Sequence, residues 1–98
     1  MNESAYQSKL IKKIKNLLPG CIVLKNDSSY IQGIPDLTVL YEDRWGTLEI
    51  KIDVDADVQP NQEYYVEKMS DMSFSAFIHP GNEAEVLHGL QKALGLAR

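Results

Sequence analysis

Two neighbouring stretches decide the architecture: Gly33-Ile34-Pro35-Asp36-Leu37-Thr38-Val39-Leu40-Tyr41 and Trp45-Gly46-Thr47-Leu48-Glu49-Ile50-Lys51-Ile52. Successive side chains of a strand point to opposite faces. In the first stretch, a strand over Pro35 to Tyr41 puts Asp36, Thr38 and Leu40 on one side. In the second, Thr47, Glu49 and Lys51 share a side, while Leu48, Ile50 and Ile52 face the other way. Glu42-Asp43 is the turn between them, and so short a connection makes a hairpin. The Glu-x-Lys side has two readings. One is a solvated face with a cross-strand charge pair. The other is a site, because Asp36 begins one strand and Glu49 stands thirteen residues later on its neighbour.

The flanking sequence supplies the rest of an α-β-β-β-α-β-α order. Tyr6, Leu10, Ile14, Leu17 and Leu18 form one helical stripe over residues 4–18, with Ser4 and Gln7 suited to a capping box and Pro19-Gly20 as the stop. Cys21 to Leu24 is a short apolar strand, and Asn26 to Gly33 a polar loop with turn residues. Asn61 to Met72 is a second helix, with Tyr65, Met69 and Met72 expected on one side. Phe74 to Ile78 is a fourth strand, stopped by His79-Pro80-Gly81. Asn82 begins a last helix carrying Val86, Leu87, Leu90 and Leu94.

The chain has 98 residues, room for one domain over 1–98 and no second core. Hydrophobic residues make up 44% and charged ones 24%, the balance of an ordinary globular protein rather than a disordered one. The lone Cys21 excludes an intramolecular disulfide framework and a cysteine-based zinc site, and fits a reducing compartment. No apolar segment is long enough for a signal peptide or a membrane span, so a cytoplasmic location, in a bacterial cell or a phage-infected host, is expected. The net charge of −4 argues against nucleic-acid binding when taken alone. Its distribution does not. Residues 1–25 hold Lys9, Lys12, Lys13, Lys15 and Lys25 against Glu3 alone, and the acids concentrate in the remainder.

Two carboxylates on paired strands can converge on a divalent cation. Hard oxygen ligands suit Mg²⁺ or Mn²⁺, and no thiol or histidine cluster competes for a softer metal. Lys51, two residues beyond Glu49, points the same way. It can orient a water or offset charge developing on a phosphate. Pro35-Asp36, twelve intervening residues, then Glu49-Ile50-Lys51 resembles the signature of the PD-(D/E)XK nuclease superfamily, whose restriction-endonuclease-like α/β core has the order α-β-β-β-α-β. Here a C-terminal helix is added. More narrowly, the chain looks like the stand-alone viral and bacterial VRR-NUC family. The residues that carry this likeness are Glu3, Gly33 to Asp36, Glu49 with Lys51, and Gln62, spanning roughly residues 3–90.

The resemblance implies a metal-dependent phosphodiesterase acting on DNA and leaving a 5′-phosphate. It assigns Asp36 and Glu49 as metal ligands, the Ile50 carbonyl as a further ligand, Lys51 as the water-positioning cation and Gln62 as a flank of the catalytic centre. Glu3 projects onto the Leu10-Ile14-Leu17 stripe at its core-facing end. It either complements the helix dipole or aims into the site, holding metal directly or through water. Gln62, with Tyr65 on the same helical face, is either a polar helix-start residue or part of the centre. Lys9, Lys12 and Lys13 form a cationic face that is either merely solvated or, together with Lys25, a phosphate contact. Tyr30 lies in the loop leading to Asp36, a substrate-contacting position.

Several signals carry less. Asp53-Val54-Asp55-Ala56-Asp57 imitates the start of a calcium loop, but Val58 and Tyr64 stand where glycine and a bidentate glutamate are required. His79 and His88 lack a third ligand, Cys21 reads as an inert core residue, and Trp45 and Tyr41 as packing residues. A bare core of this size cannot enclose a duplex, so a homodimer cutting branched DNA or a Holliday junction is expected by analogy. The acidic remainder would fit a surface for a replication or repair protein. The rival reading is a non-catalytic nucleic-acid-binding or assembly module with the same fold.

Overall fold

The computed structural model describes residues 2–53, 55 and 57–96, with Leu96 described in its backbone alone. Helix α1 (Glu3–Leu17) leads into β1 (Ile22–Lys25), β2 (Leu37–Tyr41) and β3 (Arg44–Ile50). Helix α2 (Pro60–Met72), β4 (Phe74–Ile78) and α3 (Glu83–Gln91) follow, and a π-helical turn over Lys92–Leu96 continues α3. The sheet order is β1-β2-β3-β4, antiparallel except for the β3–β4 pair. The Glu42-Asp43 hairpin pairs Tyr41 with Arg44. Parallel β3 and β4 need a crossover, and α2 supplies it.

One face of the sheet carries the main core. Leu37, Val39, Leu48, Ile50 and Ile78 meet Tyr6, Leu10, Ile14 and Leu18 from α1 and Leu87, Leu90 and Leu94 from the C-terminal helix. The apolar spacing read in the sequence places these side chains inward. Burying one such leucine stabilises by roughly 2–3 kcal/mol. Asn2, not Ser4, caps α1: its side chain accepts the Ala5 N–H at 2.8 Å. The helix therefore begins at Glu3, which places that acid in the first turn. Asn82 stands at the N-cap of α3, but its side chain is spent on the turn before it. It accepts from the His79 N–H and donates to the Phe77 carbonyl.

The opposite face decides between two readings and corrects one expectation. The Glu-x-Lys side of β3 is roofed by α2 rather than solvated, so Thr47 and Glu49 are buried, at 2% and 4% exposure. The physical reason is the crossover itself, which must lie against the sheet. Thr47 donates to Ser75 across the parallel pair, and Met69 of α2 sits above it. The stripe of α2 that meets the sheet also differs from the Tyr65-Met69-Met72 line. Val66 is the buried residue and Met72 is 64% exposed, because Gln62, Val66 and Met69 point inward together. The roof stops short of β1, leaving Ile22 and Leu24 exposed beside Leu40 and Thr38. Among the described residues, no helix is long and apolar enough to cross a membrane.

Candidate active site

The start of α1, the 26–36 loop, the end of β3 and the start of α2 meet at one end of the inner strands β2 and β3. There Glu3, Asp36, Glu49, Ile50, Lys51 and Gln62 line a single cleft of about 330 Å³. Each residue named for the catalytic or metal role in the sequence reaches this cleft. Ser28, Gly33, Ile34, Ile52 and Asp53 complete the lining.

The loop that delivers Asp36 depends on a glycine. Gly33 has φ +90°, and a Cβ there would stand 2.4 Å from Cβ of Asn61 and 2.7 Å from its carbonyl carbon. Only glycine allows the loop to press against the first turn of α2. Pro35 is buried behind it. Asn26 ties the far side: its N–H donates to the Asp36 carbonyl (2.8 Å), and its Nδ2 donates to the Pro35 carbonyl (2.9 Å) and Thr38 Oγ1 (2.8 Å).

Asp36 Oδ2 accepts the Ile50 N–H at 2.8 Å. The Gln62 amide donates to Glu49 Oε2 at 2.7 Å, while Gln62 Oε1 accepts the Gln59 N–H at 3.2 Å. Gln62 is thus both a helix-start polar residue and a partner of the buried acid. Glu49 Oε1 is buried with no hydrogen-bond partner. Burial, and then the Asp36 carboxylate beside it, push Glu49 up to about 8, with Lys51 pulling the other way. Glu3 is also raised, first by burial, then by Asp36, against Lys51. The three acids and one lysine therefore share one electrostatic environment. Lys51 Nζ donates to the Asp57 carbonyl at 3.2 Å, so the acidic 53–57 loop steadies the lysine. Val54 and Ala56 of that loop lie outside the described residues.

An orphaned, buried carboxylate oxygen beside a second carboxylate is a donor set that fits a hard divalent cation. Among the described residues, no three His, Cys, Asp or Glu side chains close on one point. The fit therefore rests on Asp36 and Glu49, with the Ile50 carbonyl and Glu3 as supplements.

The cationic residues are dispersed. None of Lys9, Lys12, Lys13 and Lys25 lines the cleft. Lys9 and Lys12 are exposed on α1 and Lys25 is exposed at the end of β1. Lys13 is ion-paired with Glu83, which also accepts from the Tyr6 hydroxyl at 2.8 Å. Tyr30 is 85% exposed and borders an adjoining hollow of about 490 Å³ with Asn26, Asp27, Ile31, Ile34 and Thr38. Ile34 is common to that hollow and the cleft. Sequence reasoning passed over Asn26. Asn26 looked like any turn former after a strand, and its reach across to Pro35 has no local signal.

No family model matches the chain, and no curated protein does. Its fold is similar to that of a solved VRR_NUC domain, at TM-score 0.69 and 21% identity over 88% of this chain and 94% of that one. A second solved structure, a VRR_NUC domain protein, aligns at TM-score 0.57 and 15% identity over 91% of this chain and 88% of that one. These neighbours support the VRR-NUC resemblance drawn from the sequence. They also bear out the nuclease-like α/β architecture, a four-stranded mixed sheet with three helices.

Proposed function

We propose that this chain is a metal-dependent deoxyribonuclease that hydrolyses phosphodiester bonds in branched DNA as a homodimer. The observation that carries the reading is the Asp36–Glu49 pair, with one buried oxygen of Glu49 unpartnered and the Lys51 charge acting on Glu49 and Glu3. The VRR_NUC names of the two structural neighbours agree with it. Mg²⁺ or Mn²⁺ held by Asp36, Glu49 and the Ile50 carbonyl, with Glu3 directly or through water, would supply Lewis acidity at the scissile phosphate.

The chain's own residues set up that chemistry. The Ile50 N–H holds Asp36 Oδ2 and the Gln62 amide holds Glu49 Oε2, so in each carboxylate one oxygen is fixed. The other is left to a ligand. Lys51 keeps donor capacity beyond its bond to the Asp57 carbonyl, since an ammonium has three donors. That capacity orients a water and offsets charge on the phosphate. Two copies related by a two-fold axis would present two such clefts to a symmetric junction.

The test is incubation with linear duplex, single-stranded and four-way-junction DNA, in Mg²⁺, Mn²⁺ or EDTA. Junction cleavage is expected with metal and none with EDTA, and Lys51→Ala should lose about 100-fold or more in rate. An absence of cleavage under every metal condition, or a Lys51→Ala variant as fast as the native chain, would refute the reading. Binding without cleavage would return the assembly-module alternative. Light scattering that finds a monomer at micromolar concentration would remove the homodimer.

A further inference from the structure

The Asp36 carboxylate reaches the cleft only if its Cα–Cβ bond points there. That direction is fixed by the peptide groups on either side of the residue, because each residue has only two soft backbone dihedrals. We propose that Asn26, just past the end of β1 and absent from the cleft lining, is the positioning residue of this site: it grips both peptide groups around Asp36. Its importance for catalysis rests on the nuclease reading, whereas its hold on Asp36 does not.

The geometry is specific. The Pro35 carbonyl belongs to the peptide before Asp36 and accepts from Asn26 Nδ2 at 2.9 Å. The Asp36 carbonyl belongs to the peptide after it and accepts from the Asn26 N–H at 2.8 Å. With both planes held, rotation about φ and ψ of Asp36 is arrested. The need for a side-chain donor comes from Pro35. The β1–β2 ladder ends at Lys25 opposite Leu37, and the Asn26 N–H extends it by one bond. The ladder stops there, because the next amide that could face β1, the Ile34 N–H, donates to the Ile31 carbonyl; the Pro35 carbonyl, in a buried residue, still needs a donor. The Asn26 amide reaches one residue ahead and supplies it.

Thr38 sets the orientation of that amide. It stands in β2, two residues beyond Asp36, and its Oγ1 accepts from Nδ2 at 2.8 Å. Both hydrogens of Nδ2 are then used, and a carbonyl acceptor at Pro35 requires the nitrogen, not the oxygen, on that side. Asp36 is thereby aimed so that its Oδ2 meets the Ile50 N–H at 2.8 Å. The chain of restraint runs from the end of β1, through Asp36, to the end of β3.

The Ile50 amide reports on this directly, since its partner is the Asp36 carboxylate. In Asn26→Ala, hydrogen exchange at the Ile50 amide should quicken by about 10-fold or more, while the Lys51 amide, bonded to the Ile78 carbonyl, stays unchanged. General loosening would speed both. Calorimetry should show Mn²⁺ binding weakened by about 10-fold. Cleavage should lose about 10- to 100-fold in kcat, with KM for DNA within about 2-fold. If Asn26→Ala does not fold, Thr38→Val, which removes only the orienting acceptor, should move the Ile50 amide and Mn²⁺ affinity in the same direction by a smaller factor. Unchanged Ile50 exchange in the folded variant, or equal quickening at Ile50 and Lys51, overturns the proposal. A quickened Ile50 amide in a chain that neither cleaves DNA nor binds Mn²⁺ would uphold the positioning role and end the nuclease reading instead.

Discussion

Glu49 and Glu83 are both shielded glutamates, and their surroundings are opposite. At one corner, Glu83 accepts from the Tyr6 hydroxyl and pairs with Lys13, joining α1 to the start of α3. Burial raises its pKa, but Lys13 and Tyr6 outweigh burial and hold the group below its usual value. At the other corner, Glu49 has one oxygen on Gln62 and one on nothing, with a second carboxylate beside it. Its pKa is pushed up to about 8. The first acid is closed by its own protein. The second is left open, and its charge is costly unless a proton or a bound cation offsets it. An ion pair that the fold completes is a structural clasp, whereas an unfinished one is a place for a ligand.

The sharpest way to break this comparison is to neutralise each acid in turn and measure cleavage. If Glu49 holds the proposed metal, Glu49→Gln should lose about 100-fold or more in rate, since outer partners of a metal ligand already cost about 10- to 100-fold. Glu83→Gln should stay within about 3-fold of the native rate. Comparable losses in the two would erase the distinction.

Denaturant unfolding should invert the order. At pH 7, Glu83→Gln should lose about 1.5–3 kcal/mol, the worth of a hydrogen bond to a charged group. Because the folded pKa of Glu83 is lowered, its contribution is present above the ordinary value of 4.5 and fades as pH falls through the lowered one. Native and variant stabilities should therefore converge in acid.

The last effect concerns Glu49 in metal-free buffer. Its folded pKa is raised, so the stability it contributes is complete below 4.5 and is lost as pH rises through about 8. The urea midpoint of the native chain should fall between pH 5 and pH 9 relative to that of Glu49→Gln. Mn²⁺ should restore the native midpoint at pH 9 and leave that of the variant unmoved. A native midpoint that rises over this range would show Glu49 to be compensated after all.

Much of this was legible along the chain because it depends on local period. The Tyr6-Leu10-Ile14 stripe, the alternation around Leu48 and Ile50, and the punctuation at Pro19-Gly20 and His79-Pro80-Gly81 declare their elements within a few residues. The grouping of Asp36, Glu49, Lys51, Glu3 and Gln62 was also readable, through spacing on paired strands and the family resemblance. The expectations that failed depended on what packs against what. Ser4 gave way to Asn2 as the cap of α1. Met72 gave way to Val66 as the buried residue of α2. For the face of Thr47 and Glu49, which had two readings, the cover supplied by α2 decided, and no alternation pattern can announce that cover. Lys13, read as a candidate phosphate contact, has Glu83 as a partner seventy residues away.

The sequence by itself determined the order of elements, the hairpin, and which side chains share a face of a strand or helix. Backbone geometry repeats every two or 3.6 residues wherever the chain runs, so those relations need no tertiary contact. Only the tertiary structure decided which charges are satisfied. Whether a carboxylate is closed or open depends on groups brought from distant segments and on the water they exclude. At Glu49 that means Gln62 from the start of α2 and Asp36 from β2's leading loop. Asn26, which sets the aim of Asp36, becomes visible only when the end of β1 and Pro35 are placed side by side.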